Sequence, residues 1–170
     1  MKIQPIIHSK SISDYRNTFE FDENQLEVIQ QGLDDGVNVD KYANPKFDMM
    51  QMLEIKAGLD TDINVDIYAD TKYDFQQMGE IRKGLEQGYN ILKFCDETFN
   101  SKAMQQIRLG LENNLTPSQI RRYADTQYNF RQMQEIRKGI EQGISTRAYA
   151  KQDLNYQQMH SIKNKKLELK

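Results

Sequence analysis

The chain repeats itself. Residues 77 to 88 read QMGEIRKGLEQG and residues 132 to 143 read QMQEIRKGIEQG, differing only at Gly79/Gln134 and Leu85/Ile140. Aligned on the residue that precedes each helix start, five full units begin at Phe21, Phe47, Tyr73, Phe99 and Tyr128, and a truncated sixth begins at Leu154. Four units have 26 residues; the one at Phe99 has 29, because LTPSQIRRYA is three longer than its counterparts. Periods of this length belong to stacked supersecondary units, no one of which buries its apolar face alone.

Each unit opens with the same start signal. Asp22, Asp48, Asp74, Asn100, Asn129 and Asn155 stand where an N-cap is needed. Three residues later comes Gln25, Gln51, Gln77, Gln132 or Gln158, which completes a capping box; only the fourth unit lacks it, with Ala103. The flanking pairs Phe21/Leu26, Phe47/Met52, Tyr73/Met78, Phe99/Met104, Tyr128/Met133 and Leu154/Met159 have the spacing of a hydrophobic staple. Each cap contributes about 1 kcal/mol. Met78, Ile81 and Leu85 then recur at spacings of three and four, one buried stripe per helix. These signals predict long helices over 23–35, 49–61, 75–87, 101–113, 130–142 and 156–167.

The helices stop near Gly36, Gly88, Asn114 and Gly143, residues suited to a left-handed C-cap; Asp62 departs from that pattern. A short second helix follows, with Asn38, Asn64, Asn90, Thr116 and Ser145 as its N-caps and Pro117 at a first helical position. It carries one aromatic per unit: Tyr42, Tyr68, Phe94, Tyr123 and Tyr149. That column reads as packing between neighbouring units, with a base-stacking platform as the alternative. Gly32, Gly58, Gly84, Gly110 and Gly139 lie inside the long helices, each costing about 0.5–1 kcal/mol against Ala. Close approach of another helix is the expected reason, and Lys165 in the same slot fits a terminal unit. The fold class is all-α, a short solenoid of about five and a half helix-turn-helix repeats. Residues 1–20 form an N-terminal extension, in which KIQPII is extended or drapes over the first unit. Residues 21–153 are the five tandem repeats, and 154–170 the truncated sixth, a C-terminal capping helix.

Nothing in the sequence nominates chemistry. His8 and His160 stand in no metal-ligand spacing, and no phosphate-cradling or nucleophile motif is present, so no catalytic, metal or cofactor residue is expected. The single cysteine, Cys95, excludes an internal disulfide and points to a reducing cytoplasm. It occupies a slot that is alanine in other units, which reads as a small buried residue. MKIQPIIHSK is too polar for a secretory signal, and no run of about 18 apolar residues suggests a membrane span.

Charge is the informative variable. The net charge of -2 hides 10 Lys+Arg against 19 Asp+Glu over residues 1 to 98, and 13 against 6 over residues 99 to 170. Asp34, Asp35, Asp60, Asp62 and Asp66 form a candidate acidic face for a basic protein partner. Arg82, Lys83, Arg108, Arg121, Arg122, Arg131, Arg137, Lys138 and Arg147 form a candidate basic face, for a partner or for nucleic acid. Arg82/Glu86, Arg108/Glu112 and Arg137/Glu141 are also four apart, so local helix pairing competes with that use. Head-to-tail self-association between the two charges is a further reading.

The phrase QMxEIRxGLExGxxxxxYAD resembles the tandem helical repeats of predicted proteins from Firmicutes phages, plasmids and conjugative elements. The resemblance covers Phe21 to about Ile162. It is carried by QMGEIRKGLEQG, QMQEIRKGIEQG, YADTKYDFQQM and YADTQYNFRQM, with the first unit fitting loosely as QLEVIQQG. It implies a mobile-element setting, in which small non-enzymatic proteins block host defence machinery, including CRISPR nucleases. The expectation is a non-catalytic counter-defence inhibitor that binds a nucleic-acid-handling effector. The alternative is a direct DNA- or RNA-binding protein that uses the basic C-terminal half.

Overall fold

The computed structural model describes residues 10–18 and 20–169, which contain helices and no strand. The helices are α1 (Ile12–Thr18), α2 (Glu23–Asp35), α3 (Met49–Asp60), α4 (Phe75–Glu86), α5 (Ser101–Glu112), α6 (Pro117–Ile120), α7 (Phe130–Glu141) and α8 (Tyr156–Leu167). Short 3-10 turns lie at Val39–Lys41, Val65–Ile67, Ile91–Lys93 and Thr146–Ala148. The chain divides into two compact units, Met1–Glu86 and Gln87–Lys170. In the first, α1 packs on α2, α2 on α3 and α3 on α4. In the second, α5 packs on α6 and α7, and α7 on α8.

The starts are built as the spacing predicts. Asp48 Oδ1 accepts from Gln51 N at 2.8 Å while Gln51 Oε1 accepts from Asp48 N at 2.9 Å. The same reciprocal box stands at Asp22/Gln25, Asp74/Gln77, Asn129/Gln132 and Asn155/Gln158. Asn100 caps alone, accepting from Ala103 N. The box glutamines also have a second role that the spacing does not reveal. Gln51 Nε2 donates to Tyr73 O at 2.7 Å, Gln25 Nε2 to Phe47 O at 2.7 Å and Gln132 Nε2 to Leu154 O at 2.8 Å. Each glutamine thus caps its own helix and holds the backbone that starts the next repeat.

The stops are left-handed in every full repeat: Gly36, Asp62, Gly88, Asn114 and Gly143 all have φ between 58° and 83°. Asp62 breaks the residue pattern but keeps the conformation, which short polar side chains tolerate. Among the second-helix caps, Asn64, Asn90 and Thr116 accept a backbone N–H, whereas Asn38 and Ser145 make no such bond. The second helices are single 3-10 turns, apart from α6, where Thr116 and Pro117 extend the start.

The core is the first two positions of the predicted stripe; at the third, Leu33, Leu59, Leu85 and Leu111 are half-buried and Ile140 is buried. Met52, Ile55, Met78, Ile81, Met104, Ile107, Met133 and Ile136 are fully buried, each worth about 1.5–3 kcal/mol of burial. Tyr42, Tyr68, Tyr123 and Tyr149 are buried as completely, so they offer no stacking face. They also correct the expectation for the glycines. Tyr68 Oη donates to Glu54 O at 2.9 Å, Tyr123 Oη to Gln106 O at 3.1 Å and Tyr42 Oη to Val28 O at 3.2 Å. Each acceptor lies four residues before the glycine. A Cβ on Gly32, Gly58, Gly110 or Gly139 would overlap that tyrosine hydroxyl. In these four repeats the glycine therefore clears the path of its own repeat's tyrosine, and at Gly139 Lys163 of α8 also comes within 3.4 Å. Tyr149, seated against Gly139 in the same way, has a buried hydroxyl with no hydrogen-bond partner among the described residues. Burial pushes all four phenols up, so they stay neutral.

Residues 12–18 were expected only as an extension and instead form α1. Tyr15 is buried and its hydroxyl donates to Asp40 Oδ1 at 2.9 Å, alongside Lys10 Nζ at 3.0 Å. KIQPII lies outside the described residues, as does His8.

Candidate functional site

The basic column at the tenth position of the repeat looks outward on a helical wheel but does not face outward in the fold. Arg82 Nε donates to Glu54 Oε2 at 2.9 Å, and its other arm meets Glu86. Arg137 Nε donates to Gln106 Oε1 at 3.1 Å and Nη1 to Glu141 at 2.6 Å. Lys163 Nζ donates to Glu135 Oε2 at 2.7 Å. In each case the partner is the eighth position of the preceding repeat. Arg108 pairs with Glu112, and its side chain is 11% exposed, against 18% for Arg82 and 7% for Arg137. Arg82 and Arg137 are rungs that join consecutive helices, whereas Arg108 pairs along its own helix.

Lys56 is the rung of the second repeat. It reaches Asp35 at 2.6 Å and Asp60 at 3.1 Å because the eighth position before it is Val28. Burial works against its charge, but the bonds to Asp35 and Asp60 outweigh burial and raise its pKa. Two of the five expected acidic-face residues are thereby half-neutralised. Asp66 pairs with Lys41 at 2.7 Å, and Asp34 accepts from Gln30. Asp62 is exposed at the left-handed stop. The acidic set is a mixture of paired and open carboxylates, not a single uncompensated patch.

The remaining basic residues are accessible. Lys83 is exposed and bonds Glu80, Lys138 is half-buried, and Arg121 lies over the Phe94 ring at 5.5 Å. Arg122 and Arg147 are exposed and make no ion pair among the described residues. Arg131 lies 5.0 Å over the Tyr156 ring, a contact that the sequence reading missed. The third column of the repeat would have pointed to it, since it reads Glu23, Met49, Phe75 and then Ser101, Phe130, Tyr156.

Cys95 is buried, its thiol donates to Ile91 O at 3.3 Å, and burial pushes its pKa up to about 12, so it is a packed and unreactive side chain. His160 Nδ1 lies 3.0 Å from Glu135 Oε2. Among the described residues no group of three His, Cys, Asp or Glu side chains could hold a metal ion. No described helix is long and apolar enough to cross a membrane. No protein-family model, curated protein or solved structure matches the chain.

Proposed function

We propose that this chain is a non-catalytic helical-repeat binding protein whose repeats stack as a short solenoid of about five and a half units. In this reading it is a counter-defence inhibitor from a mobile element or phage, and it engages a protein that handles nucleic acid, such as a CRISPR nuclease. The supporting observation is the segregation of charge on a common scaffold. Residues 1–86 carry 9 Lys+Arg against 17 Asp+Glu, and residues 87–170 carry 14 against 8. The caps, stripe, glycines and tyrosines are kept in both units, and none of them requires the sign of charge to change. An acidic surface that approaches a basic nucleic-acid groove gains in association rate.

The test is a titration into a purified RNA-guided nuclease, with gel filtration for the complex and cleavage of a labelled target as readout. Binding that slows when Asp34 and Asp62 are changed to Asn, with the difference shrinking as salt rises, supports the reading. Absence of both a complex and inhibition, at low salt and with guide present or absent, removes the nuclease as partner. Light scattering at low and high salt separates this from head-to-tail self-assembly.

A further inference from the structure

A ribbon of alternating cations and aromatic rings crosses the starts of α5, α7 and α8. Lys102 Nζ lies 5.1 Å over the Phe130 ring. The Arg131 guanidinium lies 5.7 Å from the centre of the same ring and 5.0 Å from that of Tyr156, and its Nη1 donates to Tyr156 Oη at 3.3 Å. Lys102 and Arg131 are exposed, and the two rings are half-buried. Neither cation is paired with a carboxylate among the described residues. The acids of the preceding turns temper the charge: Asp96 and Glu97 are exposed, Asp96 accepting from Thr98 N, and the half-buried Asp125 accepts from Gln127 N. Asp153 is exposed in the third turn and reduces the local charge by one.

The caps beside the ribbon differ in sign between the two units. Asp22, Asp48 and Asp74 cap the first three repeat helices, and Asn100, Asn129 and Asn155 cap the last three. The hydrogen bond is the same, but the anion is gone, so three helix starts keep their partial positive charge next to Lys102 and Arg131. In the first unit the ribbon positions hold Met49, Met50, Phe75 and Gln76, and no cation.

We propose that this ribbon binds single-stranded nucleic acid. Phosphates would meet Lys102 and the donors that Arg131 does not give to Tyr156, its guanidinium being placed by two rings. Unpaired bases would stack on the exposed part of the Tyr156 ring, which any base can do. A duplex conceals those faces, and an acidic peptide has none to offer, so the aromatic interleaving favours a single strand over either. The inference is independent of the acidic-face reading, and either one stands if the other fails.

Fluorescence anisotropy of a labelled single strand of mixed sequence, about 20 nucleotides long, tests it on the full chain at about 50 mM salt and again at about 200 mM. Binding should exceed that of the matching duplex. Lys102→Glu with Arg131→Glu should weaken it by about tenfold or more and flatten the salt slope by about one to two. Tyr156→Leu, which leaves charge unchanged, should weaken it about fivefold. Lys166→Glu, at the far end of α8, should change it less than about twofold. Circular dichroism checks that each variant keeps its helices. If the double reversal unfolds, Arg131→Lys replaces it, since it preserves charge and loses the guanidinium's donors and ring contacts; a drop of about threefold is then expected. No binding at low salt overturns the proposal, as does equal loss from Lys166→Glu. Competition by polyglutamate as strong as by the oligonucleotide overturns it in favour of an acidic protein partner.

Discussion

The two units of this chain are built by the same rules and carry opposite charge. Both use an oxygen acceptor at the third helical N–H, a Met–Ile stripe, a left-handed stop, and a tyrosine that reaches across a glycine to the carbonyl one turn earlier. In the first unit the cap acceptor is a carboxylate, and in the second it is an amide. Lys41 and Asp66 pair along the edge of the second helices in the first unit, whereas Arg122 and Arg147 stand open on that edge in the second. The difference shows which features the scaffold requires. A cap needs a short side chain with an oxygen, and Asp and Asn supply it equally; the net charge of that oxygen is free to follow another demand.

The strongest way to break the comparison is through the shared lock. Gly58→Leu in the first unit and Gly110→Leu in the second should each destabilise by about 3 kcal/mol or more, because the new Cβ overlaps a fully buried tyrosine hydroxyl. Urea melts measure it. The milder Gly110→Ala should be partly rescued by Tyr123→Phe, which removes the overlapping atom. A double mutant no better than the sum of its singles would reject the lock.

Intermediate effects should separate the rungs. Lys163 and Glu135 are both nearly sealed, with side chains 4% and 8% exposed, whereas Arg82 and Glu54 are 18% and 22% exposed. Lys163→Met strands a buried carboxylate and should cost about 3 kcal/mol; Arg82→Met should cost about 1 kcal/mol, since water screens its partners. Burial pushes the Glu135 carboxyl up, but the bonds from Lys163 and His160 outweigh burial and hold it below its ordinary 4.5. A lowered folded-state pKa contributes stability that is complete above 4.5 and lost as pH falls through the folded value. Acid melts of the wild type should therefore lose stability below about pH 4.5, and Glu135→Gln should flatten that limb while lowering stability at neutral pH.

The smallest effect is the sharpest on charge. Asp48→Asn should lower stability, and Asn129→Asp raise it, by about 0.3–1 kcal/mol at low salt, through the field at a helix start. Both changes should fade in high salt. Asn129→Asp should also weaken single-strand binding, so one substitution trades stability against the ribbon. If both cap changes leave melting temperature and binding untouched, the Asp-to-Asn change between the units carries no electrostatic role.

The sequence by itself determined the six long repeat helices to within a residue at each end. The signals are local: a cap and its N–H lie three residues apart, the staple five, and the stop is one backbone conformation. Such geometry is set by bond lengths and a rise of 1.5 Å per residue, whatever the rest of the chain does. At α1 the local signal was missed, Ser11 N donating to Asp14 Oδ2 at 2.6 Å, while Tyr15 is also held from a distance, by Asp40, 25 positions away. Long-range contacts decided the rest. Whether Gly58 faces a helix or Tyr68, whether Arg137 faces water or Gln106, and whether Lys102 meets Phe130 all depend on the register between elements 10 to 31 residues apart. Periodicity assigns a residue to a face of its own helix. Only packing decides what covers that face, because burial depends on the neighbour as much as on the residue.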